Sequence, residues 1–174
     1  ATAAVHHHLI RLGTRTRVGL VLESGEPREV AHFALLLGYG AGAINPYLAL
    51  ETIAGLVNNA DISGGLTIEK AQQNYFKALH KGVVKVMSKM GISVLSSYRG
   101  GCNFETVGLS RTIVADYFPG VVSKISGIGL TGIEKKIREI HKEAFESSET
   151  ILPIGGIYRY RKNGETHQYQ GKLI

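Results

Sequence analysis

The sequence contains little that would support covalent cross-linking or cysteine chemistry. It has one cysteine, Cys102, and no tryptophan among its 174 residues. A single cysteine cannot form an internal disulfide and cannot hold a metal cluster by itself. The sequence also shows no recognisable secretory signal. We therefore expect a reduced, cytoplasmic protein and exclude the disulfide-rich secreted class.

Uninterrupted hydrophobic runs are missing as well. The most apolar stretch, residues 33–50, is broken by three glycines and by the pair Asn45-Pro46. A membrane-spanning helix needs about 20 consecutive apolar residues. We therefore predict a helix, a loop and a second helix in this stretch, and no membrane partner.

The net charge of +6 at pH 7 raises the question of nucleic-acid binding. The basic residues are scattered along the chain, and acidic residues alternate with them in a helix predicted near residues 134–149. The sequence contains no known nucleic-acid-binding motif. We therefore expect no nucleic-acid partner.

Short apolar runs alternate with capped helices, and this alternation predicts the fold class. The length of 174 residues is enough to bury one core. Residues 1–146 are predicted to form one α/β unit with short, mostly parallel strands, resembling an incomplete (β/α) barrel. Residues 147–174 are predicted to form a linker and a hairpin around Asn163-Gly164.

Glycine, proline and capping residues set the boundaries of the predicted elements. Helices are predicted at residues 3–12, from Ser24 or Gly25 to Gly38, from the cap Asn45 to about Asn58, at 68–90 after the cap Thr67, near 104–107, near 110–118, and from Thr131 or Gly132 to about Phe145. Strands are predicted at residues 17–22 and 92–94, a tight helix-to-strand turn at 38–42, and a glycine-rich loop at 126–130.

The most informative segment extends from Lys85 to Leu109. A basic helix end is followed by the β-branched run 92–94 and by a polar turn at residues 96–101. This turn combines hydroxyls, one guanidinium and flexible backbone, so it could bind a carboxylate or phosphate, or it could hold a neighbouring domain. The residues alone leave both interpretations open. Because an unpaired buried arginine is costly, we predict that Tyr98 and Arg99 face a partner surface or solvent.

Three other patterns suggest chemistry, and each has a simpler explanation. His6-His7-His8 cannot ligate one ion from one helix, since consecutive helical residues point about 100° apart. The glycines at 38–42 follow a helix, whereas a dinucleotide-binding fingerprint opens one. Cys102 has no histidine near it in the sequence that could activate it. We expect no catalytic residue and no metal site.

A series of short motifs occurs in order between about residue 4 and residue 132. The series includes VHHHLIR at 5–11, RTRV at 15–18, ESGEPREV at 23–30, HFA at 32–34, GYGA at 38–41, AINPYL at 43–48, KVMSKMGIS at 85–93 and SYRG at 97–100. These motifs resemble the central domain of the large subunit of glutamate synthases. Residues 155–167, GGIYRYRKNGETH, resemble the segment that enters the FMN-binding domain of that family.

The resemblance implies the C-terminal part of that central domain, with the start of the linker into the FMN-binding domain. Enzymes of this family form glutamate from glutamine and 2-oxoglutarate. They combine a glutaminase domain, the central domain, an FMN-binding barrel and a β-helix, and they use FMN and an iron–sulfur cluster. The resemblance therefore implies a non-catalytic domain that binds no cofactor, connects the glutaminase and FMN-binding domains, and helps to form the ammonia tunnel.

The resemblance also implies where the partners lie. We expect Tyr39, Asn45, Ser97, Tyr98 and Arg99 to lie at a domain interface or along the tunnel, facing the glutaminase and FMN-binding domains of the same polypeptide. The 174-residue chain, as part of an oxidoreductase, is expected to be inactive by itself. Two alternatives stay open: a stand-alone α/β domain that binds a small molecule or acts as an enzyme through the 96–101 turn, and a basic interaction module.

Overall fold

The computed structural model describes residues 1–62, 64–146, 155 and 160–164. Its elements follow one another in the order α1 Thr2–Arg11, β1 Val21–Glu23, α2 Val30–Gly38, β2 Ala43–Asn45, α3 Tyr47–Asn58, α4 Ile68–Lys89, α5 Leu95–Tyr98, β3 Thr106–Leu109, α6 Arg111–Tyr117, β4 Ser123–Ile128 and α7 Leu130–Glu146. The chain divides into two compact units, Ala1–Gly129 and Leu130–Ile174. No helix in the described part of the chain is long and apolar enough to cross a membrane.

The strands of the first unit form two small parallel sheets. β1 pairs with β2, with Val21 opposite Ala43 and Glu23 opposite Asn45. β3 pairs with β4, with irregularities in register. A helix connects the strands of each pair, α2 in the first and α6 in the second. The predicted α/β class, with short parallel strands alternating with helices, is therefore confirmed, although the sheets are small and do not close into a barrel.

Helix α4 supplies the longest apolar face and packs against α2 and α3. Its predicted cap is confirmed, since the Thr67 hydroxyl accepts a hydrogen bond from the Lys70 amide at 3.2 Å. The residues of α4 that are buried are Ala71, Leu79 and Met87. Gly82 lies against Val30 of α2, where a Cβ would overlap the valine side chain. The missing side chain therefore allows the two helices to approach closely.

The predicted start of α2 near Ser24 is wrong, because local hydrogen bonds hold a turn there. The Ser24 hydroxyl accepts a hydrogen bond from the Glu26 amide at 3.2 Å. The helix begins after Glu29, where Nδ1 of His32 accepts from the amides of Arg28 and Glu29 at 3.1 and 3.3 Å. A side chain in the first turn thus satisfies amides that a helix end leaves without partners.

Two further boundaries differ from the prediction. Asn45 does not cap α3, because it is the last residue of β2 and the helix begins at Tyr47. The strand predicted at residues 17–22 begins later than predicted, at Val21, and ends at Glu23. Arg15–Arg17 form a 3₁₀ turn instead.

The region after α4 differs most from the prediction. Residues 92–94 pair with no strand in the described ranges, and the one-turn helix α5 follows them directly. The helix predicted near 104–107 is wrong, since strand β3 begins there, and the loop predicted at 126–130 is wrong in its first half, which belongs to β4. β3 and β4 form because each supplies the other's backbone hydrogen bonds, which local composition does not reveal.

The second unit is described through α7 and one short turn. In α7, the Arg138 Nε donates to Glu134 at 2.8 Å, and Ile137 and Ile140 are exposed. Residues 161–164 form a turn in which Asn163 has a φ of 64°. The strands of the predicted hairpin lie outside the described residues, and the predicted domain boundary at 146–147 stays a prediction.

Candidate functional site

The turn between α2 and β2, here called the glycine turn (Gly38–Gly42), is the point at which distant parts of the first unit meet. The prediction of a tight helix-to-strand turn is confirmed, since α2 ends at Gly38 and β2 begins at Ala43. Gly40 has a φ of +105°, which side chains of L-residues rarely tolerate. Ala41 is fully buried. A buried turn of this kind requires partners for its backbone groups.

Arg15 supplies several of the hydrogen bonds around the glycine turn. Its Nε donates to Nδ1 of His6 at 2.8 Å, one terminal nitrogen donates to the Gly40 carbonyl at 2.8 Å, and the other donates to the Val18 carbonyl at 2.9 Å. We call these residues the Arg15 cluster (His6, Arg15, Val18 and Gly40). The cluster connects α1, the segment before β1 and the glycine turn.

The imidazole of His6 accepts a hydrogen bond from a cation, so it is neutral in this arrangement. The side chain is nearly buried, with 9% of its surface exposed. Burial lowers the pKa of His6 from its ordinary value, and the charges of Arg15 and His7 lower it further. Gly40 lies directly against the ring, because a Cβ at this position would overlap the imidazole.

Aromatic side chains also pack around the glycine turn. Tyr39 stacks on Phe104 with ring centroids 5.5 Å apart and meets the edge of Phe118 at 5.2 Å. Tyr98 meets Phe104 edge-on at 6.3 Å. We call these four residues the aromatic cluster. The Gly38 carbonyl accepts a hydrogen bond from the Gly100 amide at 2.8 Å, which ties the turn to the chain after α5.

The structure corrects the predicted exposure of Tyr98. The side chain is fully buried, and its hydroxyl donates to the Ala34 carbonyl at 3.1 Å. Burial raises the pKa of Tyr98 above its ordinary value. The expectation that Tyr98 faces solvent or a partner surface is wrong, because the helical turn α5 directs the ring into the core of the first unit.

The other predicted site residues lie nearer the surface. Ser97 is exposed and Arg99 is partly exposed, although Nε of Arg99 is buried and has no hydrogen-bond partner in the described part of the chain. Tyr39 is partly buried in the aromatic cluster. Asn45 lies at the end of β2, where its amide donates to the Glu23 carboxylate at 3.0 Å. The structure thus joins Tyr39 and Tyr98 through Phe104 and places Asn45 at the end of the first sheet.

Comparison with known proteins identifies the family. The family model of the glutamate synthase central domain matches residues 1–110. The chain belongs to the glutamate synthase central domain family. It is 50% identical over 174 residues to the NADPH-type glutamate synthase large chain of Azospirillum brasilense and 46% identical over 176 residues to that of Bacillus subtilis, each alignment covering 100% of the chain.

The family resemblance inferred from the sequence motifs is therefore confirmed. A ferredoxin-dependent glutamate synthase of Pyropia yezoensis is 41% identical over 176 residues and 96% of the chain. The chain spans 11% of the length of each of these three relatives. It therefore corresponds to one part of much longer polypeptides.

Neither the single cysteine nor the glycine turn fits an iron–sulfur cluster or the phosphate of FMN. Cys102 is the only cysteine in the sequence, and it is exposed. The glycine turn offers no phosphate site, because the amides of Tyr39, Gly40, Ala41 and Gly42 all donate to backbone carbonyls. The described residues contain no group of three or more side chains that could hold a metal ion.

His6, Arg15 and Phe104 were not among the residues predicted for the site, although the glycine turn depends on them. Arg15 is one of many scattered basic residues in the sequence, and Phe104 was assigned to a helix. His6 did carry a signal, because it follows the buried Ala3 at a spacing of one helical turn on α1. This spacing indicates an inward-facing histidine whose partner must come from elsewhere in the chain.

The Arg15 cluster predicts a pH dependence of stability. The pKa of His6 is lower in the folded chain than in the unfolded chain, so the unfolded chain binds a proton more readily. The stabilisation is fully present above the unfolded pKa of about 6.5 and is lost as the pH falls through the folded pKa. We expect the urea midpoint of the 174-residue chain to be lower at pH 5.5 than at pH 7.5.

The variant His6→Gln identifies the group responsible. Glutamine has no proton to bind in this range, so the difference between the two midpoints should become smaller. The exposed His80 provides the control, and His80→Gln should retain the wild-type difference. An undiminished difference in His6→Gln would assign the pH dependence to other groups, such as His7, whose pKa is also lowered by burial and by Arg11.

Proposed function

We propose that this chain acts as a non-catalytic scaffold in a glutamate synthase large chain, connecting the glutaminase and FMN-binding domains and helping to form the ammonia tunnel. The proposal rests on one observation: the polar groups around the glycine turn form hydrogen bonds within the chain. Arg15 donates hydrogen bonds to His6, Val18 and Gly40, and the Tyr98 hydroxyl donates one to the Ala34 carbonyl. These hydrogen bonds fix the positions of chain segments, as expected of a scaffold, and none of them places a nucleophile beside a base.

The whole polypeptide would form glutamate from glutamine and 2-oxoglutarate in the cytoplasm. Its FMN and iron–sulfur cluster would be held by residues outside this chain, because Cys102 alone cannot hold a cluster and the amides of the glycine turn are all used in backbone hydrogen bonds. Relatives named as NADPH-, NADH- and ferredoxin-dependent glutamate synthases all match the chain. The match to this chain therefore does not distinguish among these electron donors.

The proposed interface consists of Tyr39, Asn45, Ser97 and Arg99, with Tyr98 fixing the 96–101 turn from inside. Two features support it. Ser97 and part of Arg99 are accessible, and the buried Nε of Arg99 has no partner within the described residues. An arginine donor without a partner is costly, so a carboxylate or carbonyl of a neighbouring domain would stabilise it.

The reading frame around this sequence tests the proposal directly. A frame that continues on both sides into a glutaminase domain and an FMN-binding domain is the expected result. A frame of only about this length, with its own start, would overturn the proposal and favour the stand-alone α/β domain that uses the 96–101 turn.

Replacing Arg99 by alanine tests the interface. In the isolated chain the melting temperature should change by less than about 2 °C, because Nε has no hydrogen-bond partner among the described residues. In the full large chain, glutamine-dependent glutamate formation should fall by about tenfold, the cost of one charged hydrogen bond. Glutaminase activity should fall much less.

Arg111→Ala is the matched control, because Arg111 is an exposed arginine on α6. It should leave both activities of the full large chain close to wild type. Unfolding of the isolated Arg99→Ala chain would show instead that Arg99 is a structural residue. Equal losses of the two activities would argue against a role at the interface.

A further inference from the structure

A groove lies beside β2 in the first unit and extends along α4. We call it the α4 groove. Its volume is about 550 Å³. The residues that line it include Gly42–Ile44 and, from α4, Phe76, Val83 and Val84. Among the lining residues, only His80 and Ser93 have polar side chains. The groove is therefore an apolar surface next to a strand.

The walls of the α4 groove include large apolar side chains that are exposed. Phe76 is 46% exposed and Val84 is 49% exposed. In the described residues β2 has β1 as its only sheet neighbour. Parallel sheets are normally covered on both faces, and exposed strand edges are usually covered or blunted. An extended segment placed in the groove would cover the apolar side chains and lie near the backbone of β2.

A row of lysines follows the groove along α4. Lys77, Lys81 and Lys85 each come directly after a residue that lines the groove, at intervals of four residues. All three are exposed, and none forms an ion pair within the part of the chain that the structure describes. Like charges at this spacing destabilise a helix. Acidic side chains beside the groove would remove this repulsion.

We propose that the α4 groove is the docking surface for an extended segment with apolar and acidic side chains, supplied by another part of the same polypeptide. The inference rests on the proposed function, which makes this chain one part of a large chain. Most of the length of the matching relatives lies outside the aligned region, since the chain spans 11% of it. A segment of the same polypeptide reaches the groove at an effective concentration that a separate protein rarely attains. The row of lysines determines the charge of the segment.

The experiment uses the full large chain with the photoreactive residue p-benzoylphenylalanine in place of Val84. Irradiation followed by peptide mass spectrometry should identify one predominant cross-linked peptide from the same polypeptide, and this peptide should contain acidic residues. Asp61, in the exposed loop after α3, is the control position and should give no predominant peptide. Phe76 provides a second groove position that should cross-link to the same peptide.

Changes of charge on α4 test the contribution of the lysines. Lys81→Glu combined with Lys85→Glu should reduce the cross-linking yield at position 84 by about tenfold, because the acids of the segment would then face acids. Lys81→Arg combined with Lys85→Arg keeps the charge and should preserve the yield. The circular dichroism spectrum and the glutaminase activity of each variant show whether the chain has folded.

Several results would overturn the proposal. They are a yield at position 84 no higher than at position 61, a cross-link to a second copy or to a separate protein, a peptide without acidic residues, and a yield unaffected by charge reversal in a folded chain. If the reading frame encodes a full-length large chain but the cross-link does not form, the docking surface is refuted and the proposed function stands. A reading frame of about 174 residues would overturn both.

Discussion

Replacing Gly40 by alanine is expected to lower the free energy of unfolding by about 3 kcal/mol, because two costs combine. The backbone φ of +105° is strained for any residue with a Cβ. The new methyl group would also overlap the His6 ring, which is held in place by the hydrogen bond from Arg15. The ring cannot move without breaking that bond. Urea unfolding of the 174-residue chain, followed by circular dichroism, measures the loss.

Gly13→Ala is the matched control for backbone strain without overlap. Gly13 lies just after the C-cap of α1 with a φ of +66°, and no atom lies within 4 Å of the position that its Cβ would occupy. The substitution should therefore cost only the strain of a left-handed residue, about 1 kcal/mol. Equal losses at Gly13 and Gly40 would show that His6 makes no rigid contact with the glycine turn.

Replacing Tyr98 by alanine is expected to lower the free energy of unfolding by about 4 kcal/mol, as for other fully buried aromatic residues. The substitution leaves a cavity beside Phe104 and leaves the Ala34 carbonyl without its hydroxyl donor. Tyr98→Phe keeps the ring and removes only the hydrogen bond, so it should cost about 1 kcal/mol. The same urea unfolding measurement applies to both variants.

Comparing the losses of unfolding free energy in Tyr98→Ala and Tyr98→Phe separates the contribution of packing from that of the hydrogen bond. Ser97→Ala is the control next to it, since Ser97 is exposed and should change the unfolding free energy by less than about 0.5 kcal/mol. A small effect of Tyr98→Ala would mean that the ring contributes little to the packing of the core.

The features predicted correctly from the sequence depend on neighbours in the chain. Thr67 caps α4 through the Lys70 amide. This cap acts over three residues, so composition reveals it. The parallel pairing of β1 with β2 also follows from sequence, because a helix between two strands returns the chain in the same direction.

The predictions that failed depend on contacts between distant residues. The run 92–94 is β-branched, but no strand in the described ranges pairs with it. Residues 104–107 were assigned to a helix, but Thr106 and Val107 pair with β4. A short segment becomes a strand only where another strand supplies its hydrogen bonds, and local propensity is too weak to decide this.

The candidate site shows the same division. The sequence predicts the family, the fold class and the glycine turn. Each of these depends on residues that are close together in the chain: the motifs, the alternation of apolar runs with capped helices, and the spacing of the glycines. Only the tertiary structure buried Tyr98 against Ala34 and joined His6, Arg15 and Gly40. These contacts span up to 64 positions in the chain. A buried polar group needs a hydrogen-bond partner, but the packing of the elements decides which residue that partner is. The sequence does not show which donor meets which acceptor across such a separation.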